Sequence, residues 1–136
     1  SGQEEAGIAK ARAFLERHSE VWNAWFILGW GLRRVGSFKE ASEAFRKAIE
    51  QGGDNCDSRN ELAICLMETG DYPSARRELE QALRHEGENT KVISNLGVLA
   101  LKEGKKDEAE GFFRTVLEID ENDQIALAHL RSAESP

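Results

Sequence analysis

The sequence is poor in residues that interrupt helices and in residues that cross-link small folds. Its 136 residues include only two prolines and two cysteines. Few prolines leave long stretches free to form helices. Cys56 and Cys65 lie nine positions apart, about 13.5 Å along one helix, which is too far for a disulfide. We therefore expect free thiols and, from them, a cytoplasmic protein.

Long apolar runs and excess positive charge are also missing. No apolar run approaches the roughly 20 residues that span a bilayer. The 18 lysines and arginines are outnumbered by 25 acidic residues, so the formal charge is −7. An acidic chain lacks the basic face needed to bind phosphates or anionic lipids. We expect no nucleic acid and no membrane among its partners.

The motifs of common enzymes and metal sites are absent as well. The chain has no glycine-rich phosphate loop, no G-x-S-x-G and no H-E-x-x-H. Its three histidines, His18, His85 and His129, lie far apart in the sequence. We predict that the chain is not an enzyme and binds no cofactor and no metal.

What the chain does contain is an internal repeat. Aligning the sequence with itself at an offset of 34 residues brings three sets of identical residues together. They are Leu28, Leu62 and Leu96; Gly36, Gly70 and Gly104; and Ala41, Ala75 and Ala109. A fixed period of this length is typical of proteins built from stacked helical units.

Each unit is predicted to form two helices. In the first unit, apolar residues recur at the spacing of three and four that defines one face of a helix. Gly36 and its equivalents stand where the first helix must end, a position that favours glycine. Ser37 followed by Glu40 resembles a capping box at the start of the second helix.

These residues resemble the signature of the tetratricopeptide repeat family. The matching residues of the first unit are Trp25, Leu28, Gly29, Leu32, Gly36, Phe38, Ala41, Phe45 and Ala48. The resemblance implies an all-α fold, a right-handed α-solenoid of antiparallel helix pairs with about eight helices. Gly53, Gly87 and Glu121 replace the proline that the family usually places between repeats.

A single domain, residues 1–136, follows from the register. We expect a half-repeat helix over 3–20, three repeats over 22–55, 56–89 and 90–123, and a capping helix over 124–134. Arg131 and Glu134 replace apolar residues of the signature, which is how a solvent-facing cap should look. Since the chain starts with Ser-Gly and no methionine, we also expect it to be a fragment of a larger protein.

In the resembled family, the first helix of each repeat lines a concave groove that binds peptides or partner proteins. A helical wheel places the groove positions opposite the packing face. In the first repeat they are Asn23, Phe26, Ile27, Trp30, Arg33 and Arg34. The second repeat contributes Asp57, Asn60, Glu61, Ile64, Met67 and Glu68, and the third Lys91, Ser94, Asn95, Val98, Leu101 and Lys102. We expect an apolar floor crossed by positive, negative and positive bands.

Several of these residues have a second interpretation. Trp30 and Phe26 could pack against the N-terminal helix or a missing repeat, and Arg33 and Arg34 could pair with Glu61 or Glu68. Asn95 could bind a ligand backbone, as asparagines at this position do in the family, or be an ordinary polar residue. All three tryptophans fall within WNAWFILGW, residues 22–30; Trp25 belongs to the packing face, and Trp22 lies between the two faces.

Two functional hypotheses remain. The first is a protein–protein interaction module that holds a peptide or helix of a partner in the groove. The second is a scaffold that self-associates as a homo-oligomer through its N-terminal half-repeat, with Phe14 and Trp22 in the interface. The family's clamp for the acidic C-terminus of chaperones is not expected, because only Lys91 matches it and Glu61 would repel a carboxylate.

Overall fold

The computed structural model describes residues 2–134, which form eight helices. They are α1 (Gly2–Arg17), α2 (Trp22–Arg34), α3 (Phe38–Glu50), α4 (Cys56–Glu68), α5 (Tyr72–His85), α6 (Thr90–Lys102), α7 (Lys106–Ile119) and α8 (Gln124–Glu134). No strand occurs within this range. The predicted all-α fold is confirmed.

The helices pair along the chain. The most extensive contacts join α2 with α3, α4 with α5, and α6 with α7, and each pair packs against the next. At the ends, α1 packs on α2 and α8 packs on α7. The result is a right-handed α-solenoid in which α2, α4 and α6 are neighbours, and all three carry predicted groove residues.

Close packing within the pairs depends on matched residue sizes. A Cβ added to Gly29 would lie 2.9 Å from the ring of Phe45, and one added to Gly97 would lie 2.7 Å from the ring of Phe113. Both rings are buried. The second pair has alanine and leucine at the equivalent positions, so a slightly larger residue faces a smaller one. Because protein interiors are close-packed, a larger residue at one of these positions requires a smaller residue at the position it faces.

The turns follow the sequence pattern with one exception. Gly36, Gly70 and Gly104 adopt φ angles of 83°, 85° and 76°, the left-handed conformation expected where a helix ends. The predicted capping box at Ser37 is wrong, because its hydroxyl accepts no capping hydrogen bond. Asp71 has nearly the same backbone conformation, and its longer side chain does reach Ser74 N.

Candidate functional site

The predicted groove residues differ widely in accessibility. Exposed members are Asn23, Ile27, Trp30, Arg34, Asp57, Glu68, Lys91, Leu101 and Lys102. Half-buried members are Phe26, Arg33, Glu61, Ile64, Asn95 and Val98. The remaining three, Asn60, Met67 and Ser94, are buried. The exposed and half-buried residues are therefore accessible to a partner, whereas the three buried residues are not.

The buried residues correct part of the predicted apolar floor. Met67 is 5% exposed and belongs to the main hydrophobic core, so it has no surface to offer a partner. Asn60 is also buried, and its side-chain oxygen accepts a hydrogen bond from Asn95 Nδ2 at 2.9 Å. This bond joins α4 to α6 and fixes the orientation of the half-buried Asn95 amide.

An ion pair joins α2 to α4. Arg33 Nε and Glu61 Oε2 lie 2.8 Å apart, although neither atom has a hydrogen-bond partner of good geometry and both are buried. Burial raises the pKa of Glu61, while Arg33 opposes the shift. The alternative in which Arg33 pairs with the next repeat is therefore right, and the first positive band is partly neutralised.

Arg34 pairs with neither Glu61 nor Glu68, the two partners suggested by the sequence. Its Nε donates a hydrogen bond to Glu4 Oε1 at 3.0 Å, and its guanidinium lies 4.8 Å from the centre of the Trp30 ring. Pairing of Arg34 with Glu61 or Glu68 is wrong, because α1 occupies the side of α2 from which Arg34 extends. Trp30 nevertheless remains 42% exposed.

Phe26 also has a contact that the helical wheel did not indicate. Its ring meets that of Phe45 edge to face, with centroids 5.4 Å apart. Phe26 therefore packs on the core of its own repeat, although the helical wheel placed it opposite the packing face. Ile27, the next residue, is 61% exposed. The wheel failed here because a half-buried aromatic ring is long enough to reach sideways into the core.

The other two tryptophans have structural contacts. The Trp22 ring covers the turn after α3 so closely that a Cβ on Gly53 would overlap it. This contact accounts for glycine at a position where the family usually has proline. Trp25 is half-buried, and its Nε1 donates a hydrogen bond to the Ser19 carbonyl oxygen at 2.8 Å, which ties α2 to the turn before it.

A second surface, the N-terminal cleft, lies between α1 and α2. It has a volume of about 560 Å³ and is lined by Gly7, Lys10, Ala11, Phe14, Val21, Asn23, Ala24 and Ile27. Phe14 is 45% exposed within it. The sequence predicted a half-repeat helix here, but only the structure shows the cleft beside it.

The described residues offer few other candidates for chemistry. Cys56 and Cys65 are free and buried on α4, and burial raises the pKa of Cys65 to about 12. Within residues 2–134, no three histidine, cysteine, aspartate or glutamate side chains are grouped so that they could hold a metal ion. In the same range, no helix combines the length and apolar character required to cross a membrane.

Comparison with known families agrees with this geometry. One tetratricopeptide repeat model matches residues 32–85 and again 66–133, and a second matches residues 1–56. The chain belongs to the tetratricopeptide repeat family. The fold is therefore that of a protein–protein interaction module.

Individual proteins show the same relationship. The chain is 28% identical over 120 residues to the cytochrome c-type biogenesis protein CycH of Bradyrhizobium diazoefficiens, covering 86% of this chain and 32% of CycH. It thus spans about a third of the length of that relative. The crystal structure of MamA superposes with a TM-score of 0.85 at 15% identity, covering 97% of this chain and 80% of MamA.

A third similar protein is YrrB, described as a tetratricopeptide repeat protein with an unusual peptide-binding site. Its crystal structure superposes with a TM-score of 0.77 at 26% identity. The match covers 97% of this chain and 77% of YrrB. Similarity of the fold thus extends along nearly the whole chain.

Proposed function

We propose that the chain is a non-catalytic module that binds a segment of a partner protein along α2, α4 and α6. One observation carries the proposal: the ninth residue of each repeat, Trp30, Ile64 and Val98, is apolar and at least partly exposed. None of the three belongs to the fully buried core. A row of apolar residues across three helices offers a partner side chain successive places to be buried.

The spacing of this row suggests the chemistry of the partner. Neighbouring helices pack roughly 8–10 Å apart, and a peptide in the polyproline II conformation has three residues per turn with a rise of about 3.1 Å per residue. Every third residue of such a peptide lies on the same face and would therefore meet one of Trp30, Ile64 and Val98. The preferred segment has apolar side chains at positions i, i+3 and i+6.

Polar residues beside the row fit the same kind of segment. The orientation of the Asn95 amide, held by Asn60, supports a hydrogen bond from Asn95 to the backbone of a peptide. Lys91 and Lys102 are exposed on α6 and favour acidic residues near that end of the segment. Since Glu61 is already paired with Arg33, a terminal carboxylate is not expected at the centre of the groove.

A display library of random twelve-residue peptides tests the proposal. Peptides selected on the wild-type protein should show the predicted apolar spacing. They should lose at least tenfold in affinity for Trp30→Ala and for Val98→Ala, since apolar anchors dominate such interfaces. Ile119→Ala provides the control, because Ile119 is 40% exposed on α7, away from the groove. Circular dichroism verifies that each variant is folded.

Two results would count against the groove. One is selection of peptides that bind wild type, Trp30→Ala and Val98→Ala equally well. The other is selection of peptides whose binding is lost only in Ile119→Ala. Partner binding in the cytoplasm is part of the proposal and is supported by the two free, buried thiols.

A second candidate function, self-association, is favoured by a separate observation. Phe14 is a large apolar residue at 45% exposure in an apolar cleft, on the opposite side of α2 from the second repeat. It lies on the N-terminal half-repeat that the sequence suggested as a site of oligomerisation.

A further inference from the structure

A small pocket, the α2–α4 pocket, lies between the first two repeats. It has a volume of about 230 Å³ and is lined by Trp22, Asn23, Phe26, Ile27, Asn55 and Asp57. These residues belong to the first half of α2 and to the start of α4, so the pocket does not depend on either end of the described chain. Its volume is below that of pockets for whole small-molecule ligands and suits a single side chain.

Two aromatic rings form part of the wall of this pocket. Trp22 and Phe26 are both half-buried, and their rings meet edge to face with centroids 6.4 Å apart. Phe26 is held from behind by Phe45, and Trp22 by the turn at Gly53. The rings are therefore fixed by the folded core, and the face of an aromatic ring attracts a cation.

Asp57 supplies the charge of the pocket. It is exposed on the first turn of α4 and is the only charged residue among those that line the pocket. Within residues 2–134 it forms no ion pair, whereas Asp54 pairs with Arg59 and Glu61 pairs with Arg33. The start of a helix by itself favours an anion, but the carboxylate of Asp57 would repel one.

The same two groups already hold an arginine elsewhere in the protein. The Arg34 guanidinium lies 4.8 Å from the centre of the Trp30 ring, and Arg34 Nε donates a hydrogen bond to Glu4 Oε1. A planar guanidinium can stack on a ring and bond to a carboxylate at once, which an ammonium group does less well. The α2–α4 pocket offers rings and a carboxylate, but no arginine or lysine of this chain lines it.

The combination of rings and carboxylate is not repeated between α4 and α6. At the offset of 34, the equivalent positions hold Cys56, Asn60 and Lys91 in place of Trp22, Phe26 and Asp57. The first two of these replacements are buried, and the third reverses the charge. A cation from a partner therefore has one preferred place along the groove.

We propose that the α2–α4 pocket binds the side chain of an arginine in the segment held along the groove. The inference rests on the proposed function, because the bound segment brings the arginine to the pocket. In a polyproline II segment with three residues per turn, residues between two apolar anchors project sideways along the helix axes. Phe26 and Ile27 lie about 4.5–6 Å along α2 from Trp30. The arginine should therefore stand between the residues that contact Trp30 and Ile64.

Selection of random twelve-residue peptides on three proteins tests the pocket. Wild type and Asp107→Asn should both enrich arginine between the first two apolar positions, and Asp57→Asn should not. Asp107 is a matched control, because it is exposed on the first turn of α7, a helix outside the groove. Both variants lose the same charge from the same kind of helix position, so their stabilities should change alike.

A selected peptide then measures the contact itself. Replacing its arginine by citrulline, a neutral side chain of the same shape, should weaken binding to wild type about tenfold, since hydrogen bonds between charged groups are the strong ones. The same replacement should change binding to Asp57→Asn by about twofold or less, since the charged partner is gone. Replacing the arginine by lysine should also weaken binding to wild type, because lysine cannot stack on the rings in the same way. Isothermal titration calorimetry gives the dissociation constants.

Each outcome separates this inference from the proposed function. Peptides that require Trp30 and Val98 but show no preference for arginine would overturn the pocket and leave the groove intact. The pocket is also overturned if the preference for arginine persists in Asp57→Asn, if Asp107→Asn loses it equally, or if lysine binds as well as arginine. Peptides that bind without need of Trp30 and Val98 would refute the proposed function and this inference with it.

Discussion

The two end helices of the described residues expose different chemistry. At the N-terminal end, α1 leaves Phe14 exposed in an apolar cleft. At the C-terminal end, α8 packs on α7. It keeps Leu127 and Leu130 half-buried and exposes Arg131 and Ser132.

The difference teaches that an incomplete repeat does not by itself produce an interaction surface. An end helix can present polar residues to water, and α8 does so at Arg131 and Ser132, although Ile125 on the same helix is 58% exposed. By contrast, α1 exposes Gly7 and Phe14, which line the apolar N-terminal cleft.

The largest loss of stability is expected for substitutions that loosen one of the two end helices. Leu15 on α1 is 6% exposed, whereas Leu130 on α8 is only half-buried. Leu15→Ala should cost about 2–4 kcal/mol in the free energy of unfolding, and Leu130→Ala about half as much. Urea denaturation at a concentration where the protein is monomeric provides the measurement.

Hydrogen exchange identifies where each loss occurs. Leu15→Ala should accelerate exchange mainly in α1, and Leu130→Ala mainly in α8, because units of a solenoid contact only their neighbours. Equal losses in the two variants would remove the distinction between a firmly held α1 and a lightly held α8.

The next largest change in stability is expected at the turn that follows the first repeat, and the turn that follows the second repeat provides the comparison. Gly53→Ala should destabilise the protein by about 1–3 kcal/mol, because the new methyl group would overlap Trp22 and lie 2.8 Å from the Ala48 carbonyl oxygen. Gly87→Ala should stabilise by about 0.4–1 kcal/mol, since its Cβ would make an ordinary contact of 3.6 Å with Leu83 O. Thermal denaturation compares the two variants directly.

A neutral result for Gly53→Ala would mean that the turn can shift away from Trp22. The double variant Gly53→Ala with Trp22→Ala separates the two causes. If the ring is responsible, part of the lost stability should return. If the Ala48 carbonyl oxygen is responsible, the loss should remain.

The smallest effect concerns the ion pair that joins α2 to α4. Burial raises the pKa of Glu61 in the folded protein, opposed by Arg33. A carboxyl group whose folded pKa lies above its unfolded value favours the folded state when protonated, so its contribution declines as the pH rises past the ordinary value of 4.5. Glu61→Gln should lack this decline.

Denaturation of wild type and Glu61→Gln at matched pH values measures the difference. The stability of the variant relative to wild type should increase from acidic to neutral pH. A relative stability that decreases over this range would show that Arg33 lowers the pKa of Glu61 more than burial raises it.

The helical fold could be predicted in detail because its signals are local. The offset of 34 identified equivalent residues, and Gly36, Gly70 and Gly104 marked the helix ends that the structure confirms. The assignment of Trp25 to the packing face also needed only the helical period. These features depend on residues within one turn or on a regular repeat, and both are visible in a single sequence.

The surface chemistry was less predictable because it depends on contacts between helices. A helical wheel gives the direction of a side chain but not its reach, so it missed the packing of Phe26 on Phe45. It also could not foresee that Met67 is buried in the main hydrophobic core. The partner of Arg34 lies 30 residues earlier, and no local pattern links the two residues.

The sequence by itself determined the repeat and the glycines that end the first helix of each repeat, since both follow from the order and spacing of residues along one chain. Only the tertiary structure decided which apolar residues remain exposed. Exposure depends on what packs above a side chain, and that is decided by how the helices pack on one another in three dimensions. For this reason the exposure of Ile27 and the burial of Met67, both placed in the groove by the helical wheel, became visible only in the structure.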